Sequence, residues 1–207
     1  MINSKELQTY VSDYIKDTID LLRYKNKKYG DSILNPTLIF PVDDTLSCVY
    51  VRLNDKFARL SNQATGDDED VVRDIVGYLL FLLYMLDCAE EERALDADAA
   101  FDYMTNTVLS QAESFLTTGV FMNIGGHVNV MTCVDVLPRI HGVTESVELM
   151  INAGSYINNL LYTIAGGEFF GSHSKEHAIF SKLVVALIIR EYAISEYKRI
   201  DDNVNTL

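Results

Sequence analysis

Cysteine is sparse in this chain, and positive charge is in deficit. Cys48, Cys88 and Cys133 are odd in number and form no close pair. That pattern excludes a disulfide framework and a cysteine-built zinc site, and it suits a reducing compartment. Lys and Arg total 17 against 30 Asp and Glu, giving a formal charge of −13 and a pI near 4.6. A general affinity for DNA, RNA or anionic membranes needs basic patches and is not expected here. A nucleotide can still be bound if a cation mediates. Long apolar runs are missing too. The longest, residues 75–86, is about half of the roughly 20 residues that span a bilayer. "MINSKELQTYVSDYIKDTID" has no basic stretch leading into an apolar one, so no secretory signal is read and a cytoplasmic location is expected. Of the three prolines, Pro36 and Pro41 both fall in "ILNPTLIFPVDD". The residue before a proline avoids helical geometry, so this segment reads as a loop.

What is present is helical periodicity. In 207 residues, 48% hydrophobic and 23% charged, there is enough apolar material for one or two globular domains. Leu7, Tyr10, Val11, Tyr14, Ile15, Ile19 and Leu22 make one face of a helix over 4–24, which runs out in the basic "RYKNKKYGDS". Leu46, Val49, Tyr50, Leu53, Phe57 and Leu60 predict a second helix from about Thr45 to Leu60. A third begins near Asp68 and is apolar on all sides to about Asp87; a fourth spans about Ala97 to Leu116. "GVFMNIGGHVNVMTCVDVLPRIHG" allows either a strand or a short helix before Pro138, and periodicity does not choose. Two further helices follow, one from an N-cap Thr144 to Gly166 and Gly167, and one capped by Ser174 around "LVVALII". The fold class is all-α, without internal repeats or a low-complexity linker.

The chemistry concentrates at the third helix. Asp70 and Asp74 are spaced i, i+4, which places them on one helical face, with Asp67 before them and Tyr78 after. If the second helix is the antiparallel neighbour, Asp55 comes near Asp74. Carboxylates that converge without matching positive charge repel one another, and a hard divalent cation, Mg²⁺ or Mn²⁺, resolves that conflict. The plainer alternative is an acidic helix start in which Arg59 or Arg73 pairs Asp74. "HSKEH", residues 173–177, matches a His-x-x-Glu-His zinc pattern with Glu176 as base, but a third ligand has only Glu191 or Glu196 as candidates. Three fixed positions in five arise by chance, and a zinc site is not the preferred reading. "GGEFFGSHSK" lacks the Gly-Lys-Ser/Thr ending of a phosphate loop.

Three strings in order, "KNKKYGDS" (25–32), "VRLNDKFARLSN" (51–62) and "DEDVVRDIVGY" (68–78), resemble the nucleotide-modification-associated domain family of phages and bacteria. That family is similar in turn to the all-α, MazG-like nucleoside triphosphate pyrophosphohydrolases. The resemblance covers roughly residues 5 to 90. It implies a MazG-like helical bundle over 1–96, with additional C-terminal helices over 97–207 packed on it. It also implies Mg²⁺-dependent cleavage of a nucleoside triphosphate to monophosphate and pyrophosphate.

Carried over by position, Lys25, Tyr29, Gly30 and Ser32 match the Lys and Tyr-Gly-x-Ser element. Asp55, Lys56, Arg59, Leu60 and Asn62 match the Asp-Lys-x-x-Arg helix, and Asp70, Asp74 and Tyr78 match the acidic helix. The chain departs from the MazG-like Glu-Glu-x-x-Glu element, offering only Asn54, Asp55 and Arg59. Its Glu69, Asp70 and Asp74 match Glu-x-x-Asp loosely, and Gly77 stands where the first family often has Asn. The implied mechanism gives Asp55, Asp70 and Asp74 the metal and the catalysis, Lys25, Lys56 and Arg59 the phosphates, and Tyr29 the base. With fewer carboxylates, the alternative is a non-catalytic nucleotide-binding or interaction protein on the same bundle. Two strongly apolar helices also predict a homodimer, with no membrane partner and no direct nucleic-acid binding.

Overall fold

The structure, a computed structural model, describes residues 4–37, 44–62, 70–117, 144–167 and 171–205. All regular structure among these is helical. The elements are α1 (Ser4–Tyr29), α2 (Thr45–Ser61), α3 (Val71–Glu90), α4 (Ala97–Tyr103), a π-helical turn (Met104–Val108), α5 (Leu109–Thr117), α6 (Thr144–Gly166) and α7 (His173–Asn205). The valine- and glycine-rich segment around Gly125 and Pro138, whose pattern allows either strand or helix, lies outside the described residues, as do Cys133, Asp67, Asp68 and Glu69.

Helix α3 is the axis of the molecule. From Val71 to Cys88 nearly every side chain is buried, and Ile75, Val76, Leu79, Leu80, Leu82, Leu83 and Leu86 have no exposed surface. A helix apolar on all sides has to be enclosed by others. Here α1, α2, α7 and the region of α4 and the π turn surround it. Helix α1 presents Val11, Ile15, Ile19 and Leu22; α2 presents Val49 and Leu53. The run 97–117 presents Ala100, Phe101, Met104, Val108 and Ala112 across its π turn, where the N–H of Leu109 reaches the carbonyl of Met104.

The apolar belt of α7, residues 183–189, is buried throughout, with α3 on one side and α6 on the other. Helix α6 contributes Ala153, Ile157 and Leu160, the stripe expected of a helix that covers one flank. The two helices whose apolar surface suggested a second subunit therefore cover each other within one chain. Residues from both sides of position 96 belong to the same core. No helix of the described residues is long and apolar enough to cross a membrane.

Helix starts follow local chemistry. Asp44 accepts a hydrogen bond from the Ser47 N–H at 2.7 Å and caps α2. Asp70 accepts one from the Arg73 N–H at 2.9 Å and caps α3. The third helix thus begins at Val71, a turn later than "DEDVV" suggests, because a carboxylate that satisfies a free first-turn N–H leaves helical geometry itself. Helix α7 starts at His173, one residue before the expected cap Ser174, with the Ser172 carbonyl accepting from Lys175 and Glu176. Gly77 in mid-α3 gives up about 1 kcal/mol of helix propensity against alanine. A Cβ there would meet a Leu22 methyl at 3.0 Å, so the glycine lets α1 lie close to α3.

Two outcomes follow for stability. Leu83→Ala, at a site with no exposed surface, should cost about 2–5 kcal/mol in chemical denaturation. A truncation ending at residue 96 strips α7 from α3 and should lose cooperative unfolding in the same assay. A truncation as cooperative as the full chain would show that the N-terminal helices close a core of their own.

Candidate functional site

The C-terminal end of α1, the turn that follows it, and the N-terminal half of α3 enclose a pocket of about 460 Å³. Its apolar wall is Leu22, Ile33 and Phe81; Tyr29 and Tyr78 add aromatic faces; Lys25, Asn26, Ser32, Arg52 and Asp74 supply polar groups. The turn starts at Gly30, whose φ of +68° suits glycine. It is held by the Ser32 N–H on the Gly30 carbonyl and by the Asn35 amide on Asp31.

Asp74 is the electrostatic centre. Lys25 Nζ from α1 donates to its Oδ1 at 3.0 Å, and Lys56 Nζ from α2 donates to its Oδ2 at 2.7 Å. The side chains of Lys56 and Asp74 are only 12% and 21% exposed, so this junction is largely shielded from water. Burial alone would raise the carboxyl's pKa, but the hydrogen bonds and charges of Lys56 and Lys25 together outweigh it and hold the pKa below its ordinary value. The pairing seen is therefore neither of the two considered from sequence, Arg59 or Arg73. Lysine reaches Asp74 from both neighbouring helices because its long stem crosses the interhelical gap.

The remaining acidic candidates have their own partners. Asp55 pairs Arg59 one turn along α2 at 3.1 Å, with both side chains about half exposed. Asp70, at the cap, pairs Arg73 at 3.4 Å. Arg73 also lies over the Tyr14 ring, 4.7 Å from its centroid. Asp55, Asp70 and Asp74 thus each pair with different cations, and the described residues contain no group of three or more His, Cys, Asp or Glu able to hold a metal ion. Lys25 and Tyr29 line the pocket, and Lys56 touches it through Asp74. Arg59 is not among the lining residues.

Arg52 is the charged lining residue that sequence reasoning missed. The signal was present: Arg52 and Lys56 are i, i+4 on α2, so both turn toward the same side. Arg52 lines the pocket with Lys25 and Asp74, and Lys56 meets the same carboxylate. Of the three aspartates, Asp74 is the one that lines this pocket, and it is met there by lysines.

Glu176 and His177 of "HSKEH" serve packing. Glu176, 2% exposed, accepts the Tyr50 hydroxyl at 2.9 Å and the Gly171 N–H at 2.8 Å, which ties α7 to α2. His177 Nε2 lies 2.5 Å from the Tyr103 hydroxyl, and burial lowers the imidazole's pKa.

Because the folded-state pKa of Asp74 is depressed, its contribution to stability is complete above the unfolded carboxylate range, about pH 4, and disappears as pH falls through the folded value. Asp74→Asn should cost about 1–3 kcal/mol near neutral pH, since Lys56 is left largely buried without its counter-charge. The difference from wild type should vanish in acid. Urea denaturation across pH measures it; a pH-independent difference would mean that charge is not what the site supplies. In comparisons with known proteins, no family model, no curated protein and no solved structure matches this chain.

Proposed function

We propose that the pocket binds a nucleotide-class ligand, with phosphate at the Lys25, Lys56 and Arg52 end and the base against Tyr29 and Tyr78. The observation that carries this reading is the pocket's charge: Lys25 and Lys56 pair the carboxylate of Asp74 and Arg52 lines the same pocket, beside an apolar and aromatic wall. An excess of cations in a partly shielded cleft solicits an anion. A guanidinium can bind phosphate oxygens in pairs, and two tyrosines offer flat faces to a flat ring. The volume of about 460 Å³ falls within the range of small-molecule sites. The sequence resemblance to nucleotide-processing families points the same way.

Hydrolysis of a nucleoside triphosphate is the second reading, and the Asp74 junction favours it in one respect. Phosphate oxygens compete for Lys25 and Lys56, and a shift of either lysine toward them frees a carboxylate oxygen. Asp74 would then be available to Mg²⁺ or Mn²⁺, with Asp55 and Asp70 as the other carboxylates the resemblance indicates. A bound divalent ion would supply neutralisation of phosphate charge and orientation of an attacking water. Lys25, Lys56 and Arg52 position the phosphates in either reading.

Calorimetric titration with a nucleoside and its mono-, di- and triphosphate tests the binding. Affinity should rise with phosphate number, and Arg52→Ala should weaken triphosphate binding roughly tenfold, the loss of one charge-assisted contact. A nucleoside that binds as tightly as its triphosphate would overturn the reading. Pyrophosphate release with Mg²⁺ across a triphosphate panel tests hydrolysis separately. Asp74→Asn should abolish release while leaving binding measurable, and a panel without release would reduce the site to a binding pocket.

A further inference from the structure

The end of α1 that forms one wall of the pocket continues outward as "RYKNKK". Arg23, Lys25, Lys27 and Lys28 stand there without an acidic residue among them, in a chain that has 17 cations against 30 acids. A helix C-terminus favours cations through its dipole, which accounts for Lys27 and Lys28. It does not account for the tyrosines. Tyr24 is 62% exposed and Tyr29 63% exposed, two of the four large hydrophobic side chains so exposed among the described residues. The Lys28 ammonium sits between their rings, 6.0 Å from the Tyr24 centroid and 5.2 Å from that of Tyr29. Arg23, Lys27 and Lys28 have no ion-pair partner among the described residues. Tyr29 faces the pocket, whereas Tyr24 lies beyond it.

We propose that this strip extends the pocket into a track for a short single-stranded nucleic acid: Tyr29 and Tyr24 stack successive bases, and Lys28 meets the phosphate between them. The proposal rests on the nucleotide reading of the pocket and names the length of its ligand. Exposed aromatic rings alternating with cations are the means by which proteins hold single strands with little sequence preference, because every base has a face to stack. An acidic peptide would use the cations and leave the rings idle.

The direction of the track is set by charge. On the other side of α1, the groove of Arg23, Asn26 and Lys27 is faced by Asp98 and Asp102, which repel phosphate. The strand therefore leaves over Lys28. The whole-chain charge of −13 opposes a long polyanion. The expected ligand is an end or an oligomer of a few nucleotides, and long duplexes are excluded.

Fluorescence anisotropy with labelled oligothymidylates of increasing length, beside calorimetry of the mononucleotide, tests the track on the full chain. Affinity should climb over the first few nucleotides and then level off. Tyr24→Ala should weaken the oligomer about tenfold, as loss of one stacked base implies, and leave the mononucleotide unchanged. Tyr24→Phe should restore oligomer binding. Mononucleotide binding without any gain from added length would overturn the track and leave the pocket standing. Absence of both would overturn the pocket reading as well. Polyglutamate competing as well as oligothymidylate, with Tyr24→Ala silent, would assign the strip to acidic protein and overturn the nucleic-acid proposal.

Discussion

Asp74 enters the core in the first turn of α3, and two lysines from two other helices allow it to remain charged there. Most of the architecture near the site depends on that arrangement. Helix α3 must be enclosed, since almost every side chain from Val71 to Cys88 is buried. Enclosure brings α1 and α2 against it, and a bare carboxylate at that level would repel the packing. Lys25 and Lys56 answer from opposite flanks, pinning three helices at one height. A shielded ion pair rarely adds much net stability, because desolvation offsets most of its attraction. Its contribution here is register. It also leaves a pocket, because long lysine stems bridge helices that do not close fully over the aromatic wall.

At the far side of α3 the same problem is solved with neutral contacts. The α7 belt and α3 cover each other, and α6 covers what remains of α7. The polar groups caught between these helices work as ties: Glu176 to Tyr50 and Gly171, and Tyr103 to His177. Of the residues that look like a metal motif in one dimension, Glu176 and His177 find hydrogen-bond partners outside the motif, as buried polar groups generally do. Burial and the nearby Glu176 carboxylate both push the Tyr50 phenol's pKa up, so it stays a hydrogen-bond donor.

Helices were legible in the sequence because amphipathic spacing is local: Val11, Ile15, Ile19 and Leu22 declare a buried face wherever the helix is placed. Caps were legible to within a turn. Asp44 and Asp70 are good N-caps, but whether an aspartate caps a helix or lies within it depends on one backbone angle that composition does not set. The π turn at Met104–Val108 left no trace in the pattern, since one inserted residue shifts the apolar face without removing it.

The sequence by itself determined a mainly helical chain, a third helix that must be enclosed, and an aspartate that enters the core and needs a counter-charge. Which counter-charge was decided only by tertiary structure. Arg59 and Arg73 are the near neighbours on the helices, and each is drawn to the aspartate on its own helix, Asp55 and Asp70, by i, i+4 and i, i+3 proximity. Lys25 is 49 residues from Asp74 and Lys56 is 18 away. No local rule links them. Charge neutrality at a buried site is settled by whichever long side chains the packing of separate helices brings within hydrogen-bond reach, so a stretch that reads as acidic is met here by lysines from two other helices.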